Sequence, residues 1–206
     1  MVNNYRLSKG LSYLLRHGAL KHNLNISSDG YVSMEDIIKL EKFKEYKLED
    51  FENVVKNNDK QRFSMKNENE KWYIRANQGH SHNVASKINQ EELLTKLDKA
   101  LPLVVHGTTY EAFESIRKTG LKKMSRMHIH FAINDDFIEG NKNQSGVRNN
   151  SQILIYIDME KAMNDGIEFY ISENKVVLSA GLGGEGLIDK KYFKKVISKK
   201  DEILEI

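Results

Sequence analysis

Four isolated arginines, each beside small or aromatic residues, could bind a phosphate group. They are Arg16, Arg62, Arg126 and Arg148. A guanidinium group holds phosphate through two parallel hydrogen bonds and keeps its charge at every useful pH. Several converging arginines would therefore suit a phosphate-rich substrate. Spacing along the chain does not show convergence, and each arginine alone fits a solvated surface charge equally well.

A second candidate is the histidine pair His128 and His130. Residues two apart in a strand point to the same side, so both imidazoles would face together. Two such histidines can ligate zinc with a third ligand, for which His106 is the obvious candidate. No Asp or Glu shares this predicted strand, and surface or hydrogen-bonded histidines are the simpler interpretation of the pair taken alone.

The segment Gly181–Gly186 fits the pattern G-x-G-x-x-G directly after a predicted strand. A dinucleotide-binding fingerprint also needs a following helix, a second parallel strand and an acidic residue roughly 20 positions further on. The sequence ends at Ile206, too soon for that unit. We therefore interpret the segment as a flexible glycine loop.

The N-terminal elements predict how Arg16 and Arg62 are positioned. Leucines at helical spacing predict a first helix, which ends at Arg16-His17, and cations in a last turn suit the helix dipole. Ser33, with Asp36 three residues later, predicts a capped second helix. Apolar residues over 48–55 predict a third. Two alternating runs, 62–66 and 71–75, predict a β-hairpin.

Three helices followed by a hairpin is the element order of a winged-helix module, although fold alone does not fix function. In the first hairpin strand, Phe63 and Met65 share one face. Arg62 would then be exposed on the side opposite the core.

The second half of the chain is predicted to be mostly β. Residues 77–101 resemble a connector with one helix over 90–100, followed by Pro102. Strands are predicted over 103–105, 128–133, 152–158, 167–172 and 175–180, a helix with Phe113 and Ile116 on one face before Gly120, a loop over 139–151 and a short helix over 159–163. The expected fold is α+β, divided into residues 1–100 and 101–206.

Composition constrains the class of protein only loosely. The chain has 206 residues, a net charge of +3 and no cysteine, so disulfides and thiolate metal sites are impossible. No secretory signal and no stretch of roughly 20 apolar residues is present. We expect a soluble, cytoplasmic protein that acts as a monomer and does not engage a membrane.

The chain resembles the RNA 2′-phosphotransferases in seven blocks that occur in family order. The blocks are LSKGLSYLLRH (7–17), KQRF (60–63), RANQGHS (75–81), HGT (106–108), MSRMHIHFA (124–132), SGVR (145–148) and FYISEN (169–174). Any single block could arise by chance, whereas seven in order over nearly the whole chain form a specific signal.

This resemblance implies an N-terminal winged-helix lobe that engages RNA and a C-terminal lobe of the ADP-ribosyltransferase type that holds NAD. By motif it implies a catalytic group of Arg16, His17, Arg62 and Arg126. The implied reaction removes an internal 2′-phosphate from RNA, such as tRNA. The RNA phosphate displaces nicotinamide from NAD, and a ribose hydroxyl then attacks the phosphorus. ADP-ribose 1″,2″-cyclic phosphate and RNA with a free 2′-hydroxyl are released.

The resemblance also suggests contacts to the two substrates. Candidates for NAD contact are His106, Gly107, Thr108, His128, His130, Gly146 and Arg148. Candidates for RNA contact are Lys9, Arg75, Gln78 and His80, for each of which a structural role is about equally plausible. No metal is expected, because arginines can stabilise the charges that a metal would.

The implied chemistry suits these residue types. The nucleophile is already an anion and nicotinamide is already a cationic leaving group, so alignment matters most and can contribute roughly 7–11 kcal/mol. In the second step, fixed cations aimed at the phosphoryl oxygens lower the barrier. His17 could move a proton or donate to a phosphate, and the sequence leaves both roles open.

Two other functions remain open at this point. An ADP-ribosyltransferase would perform only the first step and leave ADP-ribose on a nucleic-acid phosphate or a protein. A non-enzymatic winged-helix protein would bind RNA or DNA without turning over NAD. The intact set of arginines argues against both.

Overall fold

The computed structural model describes residues 4–133, 146–198 and 202–205. Helices and strands both contribute, which confirms the predicted α+β class. Contacts divide the chain into an N-terminal unit, Met1–Leu93, and a C-terminal unit, Leu94–Ile206. The division expected at 100/101 lies inside the C-terminal unit. Within the described ranges, no helix is both long and apolar enough to span a bilayer.

The N-terminal unit opens with three consecutive helical segments: α1 (Asn4–Tyr13), a π-helical turn (Leu14–Gly18) and a 3-10 turn (Ala19–His22). Leu7, Leu11 and Leu14 are almost completely buried, at the helical spacing seen in the sequence. The run stops at Asn23, whose left-handed backbone (φ 53°) lets its N–H donate to the carbonyl of Ala19. The predicted first helix is confirmed, with a final part wider than an α-helix.

Two further helices belong to this unit, α2 (Met34–Ile38) and α3 (Leu48–Lys56). The capping box predicted for α2 is wrong, because the Ser33 side chain accepts no capping hydrogen bond. Asp36 instead pairs with Lys39 at 3.1 Å. A carboxylate supports α3, where Asp50 Oδ2 accepts from the backbone N–H of Lys47 at 2.8 Å.

An antiparallel sheet packs against these helices. Its strands are β1 (Val32–Ser33), β2 (Phe63–Glu68) and β3 (Lys71–Ala76), in the order β1-β3-β2. The predicted hairpin is confirmed: Asn69 and Glu70 join β2 to β3, and both have a positive φ (51° and 63°). Such a two-residue turn matches the twist of the strands. Phe63 and Ile74 turn inward to the helical core.

The helix predicted over 90–100 begins at Gln90 but ends at Leu93, so the prediction is wrong for residues 94–100. Two short helices, α4 (His82–Ala85) and α5 (Gln90–Leu93), close the N-terminal unit. The chain then enters a strand, β4 (Thr95–Lys96), that pairs with residues 170–171. Lys96 bonds Glu168 beside that pairing. Tertiary strand pairing therefore overrides a local helical pattern here.

The C-terminal unit is built mainly from antiparallel strands. They are β5 (Val105–Thr108), β6 (Leu121–Lys122), β7 (Ile129–Phe131), β8 (Ile153–Ile157), β9 (Tyr170–Ile171), β10 (Val177–Ser179), β11 (Leu187–Ile188) and β12 (Phe193–Ser198). The sheets have the orders β4-β9-β10-β7, β12-β8-β5 and β11-β6. A bridge between Val105 and Ala132 links the first two sheets, around a core that includes Phe131 and Phe169.

The sequence predicts β7, β8, β9 and β10 with longer bounds, and its strand over 103–105 meets β5 only at Val105. It misses β4, β6, β11 and β12. Two helices complete the unit, α6 (Tyr110–Thr119) and α7 (Met159–Asn164), and both were expected. Gly120 ends α6 with φ +85°, as its position suggested. The predicted loop over 139–151 is described from residue 146 onward, and its earlier part, with Ser145, lies outside the described residues.

Gly181–Gly186 forms a tight hairpin loop rather than a dinucleotide fingerprint. Leu182 and Leu187 exchange two backbone hydrogen bonds of 2.8 Å across it. Gly181 and Gly186 each have a positive φ and backbone atoms within 2.6 Å of an added Cβ. Gly183 and Gly184, at the tip, have nothing within 4 Å of such an atom. The expectation of a glycine loop is confirmed.

Candidate active site

Arg16 and His17 lie in the π-helical turn that follows α1. A π-helical turn holds one more residue than an α-helical turn, so it changes the direction of the side chains that it carries, and such turns are frequent at functional sites. Both residues are partly buried. The sequence placed them at a helix end but gave no sign of this widened turn.

The segment 79–81 holds Arg16 from the neighbouring part of the fold. The backbone N–H of Ser81 donates to the Arg16 carbonyl at 2.9 Å, and the Ser81 hydroxyl donates to the same oxygen at 3.1 Å. Gly79 has φ +87°, and a Cβ there would lie 3.4 Å from Arg16 Nε. The Arg16 side chain therefore packs against the backbone of Gly79, and a larger residue at position 79 would crowd it.

Arg62 sits immediately before β2 and is anchored by Asn58. Asn58 Oδ1 accepts from the Arg62 backbone N–H at 3.0 Å and from its Nη1 at 3.3 Å. The Asn58 amide nitrogen donates to the Ser8 hydroxyl of α1 at 3.3 Å. Burial lowers the pKa of Arg62, which still remains protonated. Arg62 is half-buried at the start of the strand and takes no place in the apolar core.

Asn77 fixes the backbone on both sides of Arg62. It is 2% exposed, and its amide nitrogen donates to the Gln61 carbonyl at 2.9 Å. Its backbone N–H donates to the Arg62 carbonyl at 2.9 Å, and its Oδ1 accepts from the Ser64 hydroxyl at 2.7 Å. Gln61 has φ 42°, a conformation that these bonds help to hold. The sequence analysis missed Asn58, Asn77 and Ser81, although two of them stand in the block 75–81.

The four residues suggested for RNA contact have different surroundings. Lys9 is exposed on α1 and Gln78 is partly exposed. Arg75 donates through Nη1 to the Asp29 carbonyl at 2.9 Å and lies 4.7 Å from the centre of the Tyr31 ring. His80 is only 6% exposed. The contacts of Arg75 and the burial of His80 favour structural roles for these two.

In the C-terminal unit, His106 is held as a neutral imidazole. Its Nδ1 lies 2.9 Å from the carbonyl oxygen of His130, and a carbonyl only accepts, so Nδ1 carries the proton. Burial lowers the pKa of His106, and the charge of Arg148 lowers it further. In that neutral form the second ring nitrogen, Nε2, is a hydrogen-bond acceptor. The Phe131 ring contacts His106 edge-on at 5.9 Å.

Gly107 and Gly146 are required by close backbone packing. A Cβ on Gly107 would lie 2.5 Å from Val147 Cγ1 and 2.7 Å from Ser151 Oγ. Gly146 has φ +89°, and a Cβ there would lie 2.5 Å from the Phe131 carbonyl oxygen. Thr108, which is largely buried, accepts from Gln152 N–H through its carbonyl at 2.7 Å. The two glycines thus dock the segment 146–152 onto β5 and β7.

Arg126 and Arg148 lie within electrostatic reach of each other. Burial lowers the pKa of Arg126, and the positive charge of Arg148 lowers it further. Arg148 also acts on His106, so three residues that the sequence could not connect belong to one neighbourhood. Arg126 is partly buried and Arg148 is exposed, so water screens part of their repulsion, and an anion bound near both would be attracted by both charges. This is a donor set that fits a phosphate or pyrophosphate.

His128 is a buried neutral histidine. It is 8% exposed, and burial, aided by the charge of Lys123, lowers its pKa to about 4. Its ring lies 6.3 Å from that of Tyr170. His130 follows in β7 and is partly buried. In the part of the chain that the structure describes, no three His, Asp or Glu side chains form a group that could hold a metal ion.

Each unit therefore carries its own set of groups suited to anions. The N-terminal unit offers Arg16, His17 and Arg62, and the C-terminal unit offers Arg126 and Arg148 with a neutral His106. Fixed cations of this kind can orient a phosphate and stabilise charge that develops on it. No carboxylate is needed for such chemistry.

Comparison with known proteins identifies what this chain resembles. A family model described as "RNA 2′-phosphotransferase, Tpt1 / KptA family" matches residues 2–181. The protein "tRNA 2′-phosphotransferase 1" of Danio rerio is 41% identical over 191 residues, which is 91% of this chain and 83% of that protein. A bacterial relative from Fusobacterium nucleatum is 35% identical over 183 residues, 87% of this chain and 94% of its own length.

The relatives differ in length. A relative from Schizosaccharomyces pombe is 42% identical over 200 residues, which is 96% of this chain but 52% of that protein. The chain thus spans about half the length of the fission-yeast relative and most of the length of the other two.

Proposed function

Because the chain belongs to the RNA 2′-phosphotransferase family, we propose that it removes an internal 2′-phosphate from RNA, such as tRNA, with NAD as co-substrate. The observation that supports this most is the family match over residues 2–181, a range that contains Arg16, His17, Arg62 and Arg126. The products are RNA with a free 2′-hydroxyl, nicotinamide and ADP-ribose 1″,2″-cyclic phosphate.

We assign different substrates to the two units. The N-terminal unit is proposed as a winged-helix lobe that binds RNA, which is supported by its element order of three helices and a hairpin. The C-terminal unit is proposed as an ADP-ribosyltransferase-like lobe that binds NAD. We further propose that the protein acts in the cytoplasm as a monomer, because tRNA and NAD are both available there.

In the first step, the residues of this chain have to align an RNA phosphate with the anomeric carbon of a ribose. We assign Arg16 and Arg62 to the RNA 2′-phosphate, since both are held by neutral hydrogen-bonding groups of the same unit. The phosphate oxygen forms the new bond to the anomeric carbon, and the bond to nicotinamide breaks with its electron pair. Alignment of the two partners supplies much of the rate.

In the second step, a ribose hydroxyl attacks the phosphorus and the RNA oxygen leaves. Charge grows on the phosphoryl oxygens, where Arg126 would stabilise it. The attacking hydroxyl loses a proton and the leaving 2′-oxygen gains one. His17 is the residue that we assign to this proton movement, since an imidazole can both accept and donate a proton.

For NAD, the neutral His106 is the best-defined candidate. Its Nε2 is an acceptor that suits a ribose hydroxyl, while the nearby Arg148 suits the pyrophosphate. Thr108, His128 and His130 are retained as further candidates. Gly107 and Gly146 would act indirectly, by docking the segment that carries Arg148. For RNA, Lys9 and Gln78 fit better than Arg75 and His80.

The test is a turnover assay with NAD and an oligonucleotide bearing one internal 2′-phosphate, with products resolved by mass. Loss of the phosphate with release of nicotinamide and ADP-ribose cyclic phosphate is the expected result. RNA that keeps ADP-ribose would indicate an ADP-ribosyltransferase that stops after the first step. Dephosphorylation without NAD, or no reaction with it, would refute the proposal.

A further inference from the structure

The start of this nearly neutral chain carries a net positive charge because it lacks carboxylates. The first 28 residues contain Arg6, Lys9, Arg16 and Lys21 and none of the chain's 29 acidic residues. The first carboxylate is that of Asp29. A segment without carboxylates is a favourable surface for a polyanion, because nothing on it repels phosphate groups.

One face of α1 presents this charge together with aromatic rings. The opposite face buries Leu7, Gly10 and Leu11. The outer face carries an aromatic and cationic stripe that consists of Tyr5, Arg6, Lys9 and Tyr13, all exposed. Tyr5 is 76% exposed and Tyr13 is 49% exposed. Two exposed rings and two cations on one helix face form a surface on which bases and phosphates could both be bound.

The stripe has a regular spacing along the helix. Tyr5, Lys9 and Tyr13 follow one another at four-residue intervals, so they lie above each other on one line. At a rise of about 1.5 Å per residue, the two tyrosines are separated by about 12 Å along the axis. That distance leaves room for more than one nucleotide between the rings.

The stripe leads directly to the residues assigned to the RNA phosphate. The Tyr13 ring centre lies 6.1 Å from that of His17, with an angle of 45° between the planes. Tyr13 also covers Gly18, where an added Cβ would be 3.0 Å from its ring. One end of the stripe is therefore fixed beside the Arg16-His17 turn.

We propose that this stripe binds the nucleotides that flank the 2′-phosphate, with the tyrosine rings stacking on bases and Arg6 and Lys9 contacting backbone phosphates. The inference rests on the proposed function, which supplies the RNA. Bases stack on aromatic side chains whatever their sequence, while the cations follow the backbone. The site would thus favour unpaired nucleotides next to the modified one, without reading a particular sequence.

The test is a binding series that does not depend on turnover. Single-stranded RNAs with one 2′-phosphate, either two nucleotides long or extended by four nucleotides on the 5′ or the 3′ side, are titrated by fluorescence anisotropy without NAD. We expect an extension on one side to tighten binding. Tyr5→Ala should weaken binding of that longer RNA about tenfold while binding of the dinucleotide stays unchanged.

Matched variants separate stacking from general surface effects. Tyr5→Phe should bind the longer RNA as the wild type does, whereas Tyr5→Leu, which keeps apolar area but no ring, should behave like Tyr5→Ala. Lys9→Ala should weaken binding and reduce its salt dependence. Lys118→Ala, at an exposed position of α6 in the C-terminal unit, is the control. Circular dichroism checks that each variant is folded.

The outcomes distinguish this inference from the proposed function. If neither extension tightens binding, or if Tyr5→Ala still binds the extended RNA more tightly than the dinucleotide by the wild-type factor, the stripe is not an RNA site. The stripe would then be a surface for docking another macromolecule. That result leaves the turnover assay untouched. If the length effect depends on Tyr5 but no NAD-dependent turnover occurs, the RNA site stands and the proposed reaction fails.

Discussion

The two units hold their arginines in different ways. In the N-terminal unit, neutral groups hold both arginines: the Asn58 amide oxygen accepts from the Arg62 side chain, and the Ser81 hydroxyl and N–H donate to the Arg16 backbone carbonyl. In the C-terminal unit, Arg126 is partly buried within reach of a second arginine, Arg148. The first arrangement fixes geometry before a ligand arrives. The second places two cations in one neighbourhood, where both would attract the same anion, so we expect the C-terminal unit to respond more strongly to bound anions.

The largest effect is expected from removing one arginine of each unit. Arg62→Ala and Arg126→Ala should each lower turnover about 100- to 1,000-fold, because fixed donors to a developing anion contribute that much. Steady-state kinetics with RNA and NAD measures the loss. Both variants should stay folded by circular dichroism, since neither side chain lies in an apolar core. Near-normal rates in both would refute the site.

Arg117→Ala is the matched control for these two variants. Arg117 lies on α6 and pairs with Glu114 at 2.7 Å at the surface. Its removal should leave turnover within twofold of the wild type. If only one of Arg62→Ala and Arg126→Ala lowers turnover, the arginines of the two units do not both take part in the reaction.

The next largest effect is a loss of stability in acid, to which the buried His128 of the C-terminal unit should contribute. Its pKa in the folded protein is about 4, below the ordinary 6.5. Between these values the unfolded chain binds the proton and the folded chain does not. The free energy of unfolding should therefore fall by about 3 kcal/mol from this residue as pH drops from 6.5 to 4.

Urea denaturation at a series of pH values checks the role of His128. His128→Gln should lose this part of the pH dependence, while His22→Gln, at an exposed position, should keep the wild-type profile. Identical slopes for His128→Gln and the wild type would contradict the prediction.

A smaller effect tests the anchoring of Arg62. Asn58→Asp places a carboxylate 3.3 Å from Arg62 Nη1, where it would compete with the substrate phosphate. We expect KM for RNA to rise about tenfold with less change in kcat. Asn58→Ala removes the acceptor without adding charge and should mainly lower kcat. Equal effects of both variants on kcat and KM would show that Asn58 has only a folding role.

The smallest effect is expected at Arg148. Arg148→Gln removes one of the two cations that would attract the pyrophosphate of NAD. KM for NAD should therefore rise about three- to fivefold. Inorganic phosphate should raise the Tm of the wild type and raise that of this variant less. If phosphate stabilises both equally, the anion does not bind between these arginines, and the contrast between the units loses its basis.

Sequence reasoning predicted the elements that depend on local pattern. The hairpin, the Gly120 cap and the helix with Leu7, Leu11 and Leu14 follow from spacing and turn chemistry. The helix over 90–100 failed because β4 pairs with a strand some 75 positions away, at Ile171 and Tyr170. Pairing over such distances is invisible to a local window.

The candidate site was predictable in its residue types but not in its arrangement. Motif resemblance named the arginines, yet only the fold shows that Arg126, Arg148 and His106 share a neighbourhood. Asn58 and Asn77 were missed because an asparagine in a polar loop carries no periodic signal. Their importance comes from hydrogen bonds that close only when α3 and the hairpin are both in place.

The glycine loop at 181–186 has a practical consequence. Its tip residue Gly184 has open space around the position of a Cβ, and its φ is not positive. The chain contains no cysteine, so Gly184→Cys would introduce a single thiol at the tip of a hairpin that two backbone hydrogen bonds close. A fluorophore or spin label attached there would report on the C-terminal unit alone, with no background labelling to subtract.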